Sequence, residues 1–132
     1  MGKSARSTYN SSKILTDVLE SSADVRRNQT GTYFFVSSSA AISLTLPDGT
    51  TGNYFRFIIK DGMTQQVTVS ASDNMYGPLV TQHGGGAVSI SENTDNSIVL
   101  GAGAAAGSYL DVLYGDDHKW YVSGIASGSA WS

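Results

Sequence analysis

Short runs of alternating apolar and polar residues constrain the fold of this chain more than any other feature. The run ISLTL puts Ile42, Leu44 and Leu46 on one face, as expected of a half-buried strand. No long helical pattern separates the runs, so we predict an all-β fold, an antiparallel β-sandwich or barrel of about 8 short strands. The strand-like runs cover 32–37, 42–46, 53–60, 66–70, 87–91, 97–100, 109–114 and 119–124.

Turn residues separate these runs. The segment LPDGTTG combines Pro, Asp and Gly in positions that favour a turn. The polar segments SDNMYG (72–77) and SENTDN (91–96) are predicted to be loop tips. Charged residues are only 14% of the chain, below the usual quarter, and small polar residues replace them. This composition suits sheet surfaces and turns better than helices.

The first 29 residues differ from the rest, and we predict an arm at 1–29 and a β body at 30–132. Residues 1–27 carry a net charge of +2, whereas residues 28–132 carry −5. One segment, SSKILTDVLESS, has helical spacing, but it is short and rich in β-branched residues. The arm is therefore expected to be extended or partly helical. Its apolar residues are Ile14, Leu15, Val18 and Leu19.

The sequence GDDHKWYVSG (115–124) raises the question of a metal or acid–base site, because two carboxylates adjoin an imidazole. Successive side chains at the tip of a hairpin diverge, however, so we expect 115–118 to be a turn. The chain has no cysteine, no G-x-S-x-G elbow and only one other histidine, His83. We predict no catalytic residue, no metal and no cofactor. The acids that a paired-carboxylate glycosidase could use are Asp73, Glu92, Asp95 and Asp111, and turn roles explain most of them.

Most aromatic side chains are expected in the core or between subunits. Four residues are candidates for contacts at the surface or between subunits instead: Tyr76, His83, Trp120 and Trp131.

Three segments together resemble a recurrent module of tailed-bacteriophage virion proteins: TGTYFFVSSSAAISLTLPDGTTGNYFRFIIKD, QQVTVSASDNMYG and AGAAAGSYLDVLYGDDHKWYVSGIASG. The resemblance covers about residues 28–128. It implies a capsid decoration, or cement, protein, which binds the outside of the head, often as a trimer, and does no chemistry. The expected partner is the major capsid protein, the expected assembly a homotrimer and the expected location the virion exterior.

In this hypothesis the arm lies across adjoining capsid subunits. Its apolar residues fill shallow grooves, and its basic residues pair with acidic capsid side chains; these are Arg6, Lys13, Arg26 and Arg27. We expect no nucleic-acid partner, because Tyr9 is the only aromatic residue among these bases, and no membrane partner.

Two alternatives remain open. The first is a tail-fibre or head-fibre module that binds host glycans through Trp120, Tyr121, Tyr76 or His83. The second is a small hydrolase that uses paired acids or Asp116 and His118.

Overall fold

A computed structural model describes residues 14–60, 65–82, 88–100, 106–127 and 129–131, with backbone only at 78–79, 81–82, 88–95, 126–127 and 129–131. This part of the chain forms ten strands and a single turn of 3-10 helix. The predicted all-β class is confirmed. None of the described helical structure is long and apolar enough to cross a membrane. The strands are β1 (Leu15–Leu19), β2 (Ala23–Asp24), β3 (Thr32–Val36), β4 (Ile42–Thr45), β5 (Tyr54–Ile59), β6 (Val67–Gln82), β7 (Val88–Leu100), β8 (Tyr109–Tyr114), β9 (Trp120–Ser127) and β10 (Ser129–Trp131).

The alternation seen in the sequence turns one face of each central strand towards the core. In β5, Phe55, Phe57 and Ile59 are buried, and the residues between them are half-buried. In β4, Ile42 and Leu44 are buried while their neighbours are exposed. Branched and aromatic side chains suit such a pleated, half-buried surface, which is why these segments are strands.

Eight strands form a single row in the order β1-β3-β5-β8-β9-β6-β4-β2, with β7 beside β6 and β10 beside β7. The two ends of the row, β1 and β2, follow each other directly in the chain and are joined by residues 20–22. The row therefore curls back on itself and makes a nearly closed, barrel-like sheet. This shape decides between the sandwich and the barrel that the sequence left open.

The sheet is mixed, which corrects the expectation of antiparallel pairing throughout. The pairs β1–β3, β3–β5, β2–β4, β4–β6 and β6–β9 are parallel. The hairpins β6–β7 and β8–β9 are antiparallel, as are β5–β8 and β7–β10. The reason is that the chain alternates between two halves of the row. Each strand from β3 to β6 therefore lies beside the strand two positions earlier, pointing the same way.

The predicted loop tips at 72–77 and 91–96 are wrong, because both segments lie inside long paired strands. In the β6–β7 hairpin, Met75 is opposite Asp95 and Tyr76 is opposite Thr94. The register shifts between Ser70 and Met75, as at a β-bulge. Ser72 and Asp73 lie within this irregularity, where a bulge accommodates residues that disfavour regular pairing.

Aromatic side chains fill the interior of the barrel. The rings of Phe34 and Phe57 stack with centroids 5.5 Å apart. Trp120 lies 6.1 Å from the Phe55 ring and 4.9 Å from the Tyr114 ring, the latter in an edge-to-face arrangement. Offset and edge-to-face contacts of this kind add to the burial of the rings.

The described part of the predicted arm, residues 14–29, is joined to the body. Strand β1 pairs with β3 along its length, and β2 pairs with β4. Val25 is buried, and its amide donates a hydrogen bond of 2.8 Å to the Thr45 carbonyl. The arm was expected to be either extended or partly helical, and the structure shows that residues 15–19 are extended. β-Branched Thr16 and Val18 favour this extended form. The boundary at residue 29 stays a prediction.

Candidate functional site

The segment 115–119 forms the turn between β8 and β9, as predicted. The Gly115 amide donates to the Lys119 carbonyl over 2.9 Å, and His118 adopts a φ of 62°, in the left-handed region. Asp116, Asp117 and His118 are exposed. The described residues contain no group of three or more histidine or acidic side chains that could hold a metal ion.

Two side chains of this turn are committed to structural contacts. Asp117 Oδ2 accepts a hydrogen bond of 2.5 Å from the Tyr121 hydroxyl, and Lys119 Nζ lies 3.8 Å from the same oxygen. The hydrogen bond from Tyr121 lowers the pKa of Asp117 and raises the pKa of Tyr121. The turn is thus tied to the outward face of β9.

Two of the acids considered for a hydrolase have structural partners. Asp111 pairs with Arg56, and Asp73 accepts a hydrogen bond of 2.7 Å from the Tyr114 hydroxyl. The side chains of Glu92 and Asp95 lie outside the described residues.

Trp120 is not a surface residue, and the expectation that it makes surface contacts is wrong. It is fully buried, because the alternation of β9 turns Trp120 and Val122 inwards and Tyr121 and Ser123 outwards. Its indole N–H has no hydrogen-bond acceptor among the described residues. Of the other surface candidates, His83 lies outside the described residues. Trp131 is opposite Ile98 in the β10–β7 pair, but its side chain is not described.

Four neighbouring strands bring an outward-facing row of aromatic and apolar side chains together. Tyr54 is opposite Leu113, Leu113 is opposite Tyr121, and Tyr121 is opposite Tyr76. We call these four residues the tyrosine row. Leu113 is 45% exposed and Tyr121 46% exposed, while Tyr54 and Tyr76 are half-buried. The row lines a shallow groove of about 370 Å³, to which Asp111 and Ser123 also contribute.

Beside this row, Arg56 and Asp111 form an ion pair whose guanidinium lies close to two tyrosine rings. Arg56 bonds Asp111 through two nitrogens, with Nη2 2.6 Å from Oδ2. The centre of its guanidinium lies 4.9 Å from the centroid of the Tyr33 ring and 4.9 Å from that of Tyr109. The hydrogen bonds to Asp111 raise the pKa of Arg56 further above its ordinary value. A planar guanidinium suits both a carboxylate and flanking rings, so the cluster braces β3, β5 and β8.

Tyr54 provides a prediction on pH. Burial, a hydrogen bond with Tyr33 and the charge of Asp111 raise its pKa from 10.0 to about 12. The fold therefore favours neutral Tyr54, and this contribution to the free energy of unfolding is complete below pH 10 and lost as the pH rises to about 12. Urea denaturation across this range should show a smaller alkaline loss in Tyr54→Phe than in the wild type. Some loss should remain, because the pKa of Tyr114, raised by its hydrogen bond to Asp73, is also about 12. An equal loss in both proteins would contradict the prediction.

The apolar residues of the predicted arm are Ile14, just before strand β1, and Leu15, Val18 and Leu19 within it, and three of the four are exposed. Leu15 is 64% exposed, Ile14 55% and Val18 45%, whereas Leu19 packs partly against the core. Leu15 is opposite buried Thr32 and so lies on the core side of the sheet, yet nothing in the described part of the chain covers it. Strand β1 therefore presents apolar surface on both of its faces.

The basic residues of the predicted arm differ in whether the fold itself uses their side chains. Arg27 Nε donates a hydrogen bond of 2.8 Å to the Asp48 carbonyl, so this side chain is used within the fold. Arg26 precedes the 3-10 turn Arg27–Gln29, is exposed and has no carboxylate partner in the described ranges. Arg6 and Lys13 lie outside the described residues.

Sequence reasoning missed the tyrosine row and the ion pair. Within the strand-like runs 53–60 and 109–114, alternation puts Tyr54 and Arg56 on one face of the first run and Asp111 and Leu113 on one face of the second. The alternation of each run therefore indicated which of these side chains share a face of their own strand. It could not show that the two strands are neighbours or in which register they pair. Comparison with protein-family models, curated proteins and solved structures found no match.

Proposed function

We propose that this chain is a non-enzymatic structural protein of a bacteriophage virion, which binds the outer capsid surface as a decoration protein and stabilises the head. The observation that carries the proposal is the exposed apolar strand β1 at the end of the sheet. Exposed apolar side chains on both faces of a strand at the end of a sheet make it a favourable binding site for another chain. The resemblance to virion modules implies that this other chain is the major capsid protein.

The backbone of β1 offers a second kind of contact. In the described structure β1 pairs with β3 on one side, and its other side is the end of the row. An extended segment of a partner can add to such an edge through main-chain hydrogen bonds, while Leu15 and Val18 supply apolar contacts. Exposed Arg26 follows closely in the chain and would reach an acidic side chain on the capsid.

A homotrimer would strengthen this contact. Three copies of β1 displayed together convert weak single contacts into stable attachment through effective concentration. Bridging several capsid subunits in this way would raise the resistance of the head to disruption.

The proposal is tested by co-sedimentation with purified phage heads that lack the protein. Deleting residues 2–27 is unsuitable, because it would remove buried Val25 and two strands of the sheet. We choose the double variant Leu15→Lys, Val18→Lys, since exposed positions tolerate substitution with little loss of stability. Wild-type protein should bind at a saturable ratio, and the double variant should bind at least about tenfold more weakly, which corresponds to about 1.4 kcal/mol.

Ile125→Lys is the matched control, because Ile125 is also apolar and 52% exposed but lies on β9. It should bind heads like the wild type. Heads that reject the wild-type protein would contradict the proposed function. Full binding by the double variant would contradict the role of β1.

A further inference from the structure

The tyrosine row has the dimensions of a site for an extended ligand. Its members lie on β5, β8, β9 and β6, which are neighbours in the sheet. At the usual spacing of strands, the distance from Tyr54 to Tyr76 is about 14 Å. The groove along the row is open to solvent and has a volume of about 370 Å³.

Contacts with neighbours hold the three rings of the row in place. The Tyr121 hydroxyl is bonded to Asp117, and Lys119 Nζ lies 4.9 Å from the centroid of the Tyr76 ring. The Tyr54 ring lies 6.4 Å from that of Tyr33. Rings that are already ordered lose little freedom when a ligand binds, so even weak stacking gives measurable affinity.

The groove carries no unpaired charge among its described lining residues. Asp111 is neutralised by Arg56, and Lys119 at the rim is paired with Asp117. Charge complementarity therefore favours an uncharged ligand. Its polar groups would find acceptors and donors in the Asp111 carboxylate and the Ser123 hydroxyl.

From this combination we propose that the tyrosine row binds a neutral oligosaccharide. Pyranose rings have one face of C–H groups, which packs on an aromatic ring, and hydroxyls at their edge, which bond polar side chains. Ordered flat rings, a shallow groove and paired charges match that chemistry. A peptide partner would instead gain most from a free strand edge or an unpaired charge, and the groove, which lies on four strands paired on both sides, offers neither in its described lining. This site goes beyond capsid binding, because strand β3 separates β1 from the row.

The test is an NMR titration of the ¹⁵N-labelled protein with cellotetraose, maltotetraose and chitotetraose in turn. We expect at least one of them to bind with a Kd of about 0.1–10 mM and to shift the amides of Tyr76, Leu113 and Tyr121. Tyr121→Ala should weaken that binding at least about tenfold. Tyr121→Phe, which keeps the ring, should retain most of it.

Ile125→Ala is the control, since Ile125 is an exposed apolar residue on β9 that does not line the groove. It should bind the saccharide like the wild type. The proposal is overturned if none of the three saccharides binds, if the shifts fall outside the row, or if Tyr121→Ala binds normally. It is also overturned if sedimentation shows an oligomer that Leu113→Lys dissociates, because the row would then be covered by a second copy of the chain. Head binding by Tyr121→Ala should be unchanged, so the two proposals can fail separately.

Discussion

Replacing Trp120 with alanine is expected to lower the free energy of unfolding by about 3–5 kcal/mol. Trp120 is completely buried and contacts the rings of Phe55 and Tyr114 at the centre of the barrel. Its removal would leave a cavity lined by rigid aromatic rings, which cannot collapse to fill it. Urea denaturation followed by circular dichroism measures the loss without relying on tryptophan fluorescence.

Trp120→Phe separates the effect of volume from that of the indole N–H. Phenylalanine keeps most of the packing and removes a buried donor that has no acceptor among the described residues. An unpaired buried donor is itself costly, so its removal offsets part of the lost volume. The expected loss is below about 2 kcal/mol. A loss for Trp120→Ala under about 1 kcal/mol would contradict the buried position of this side chain.

The second large effect is expected for Gly77→Ala, with a loss of about 2–5 kcal/mol. Gly77 has a φ of 148°, which side chains rarely adopt, and a Cβ there would lie 2.0 Å from the Val122 carbonyl oxygen. Because that oxygen belongs to the backbone of β9, relief would require β6 and β9 to separate. Thermal and urea denaturation of the variant measure the cost.

Gly52→Ala is the matched control for this prediction. Gly52 has a φ of 90°, but no atom lies within 4 Å of a Cβ built there. The control therefore suffers backbone strain alone, about 1–2 kcal/mol. If Gly77→Ala cost no more than Gly52→Ala, the close approach of β6 and β9 would be contradicted.

The two proposed surfaces differ in how far the sequence could reveal them. Leu15 and Val18 were identified as arm residues from their apolar character and their position in a segment apart from the regular strands. The tyrosine row was not identified, although Tyr76 and Tyr121 were suspected singly. A row across four strands depends on which strands are neighbours and on their register, and a shift of one residue in any of these strands would turn its member of the row inwards.

Trp120 shows the same limit of sequence reasoning, in this case for a buried residue. Trp120 was a candidate for oligomer or surface contacts, and the alternation of β9 by itself allowed either face to be buried. Only the docking of β9 between β8 and β6 decides that Trp120 faces inwards and Tyr121 outwards.

The sequence by itself determined the all-β class, the central strands and the turn at 115–119. These features follow from local alternation and from the conformations that Gly, Asp and Pro prefer, and neither needs a distant partner. The tertiary structure alone decided the mixed pairing, the long β6–β7 hairpin, the joining of β1 to the sheet and the tyrosine row. Their physical cause is the packing of residues far apart in the chain, since hydrogen bonds between strands and burial of the aromatic core can be satisfied only once all the strands have come together.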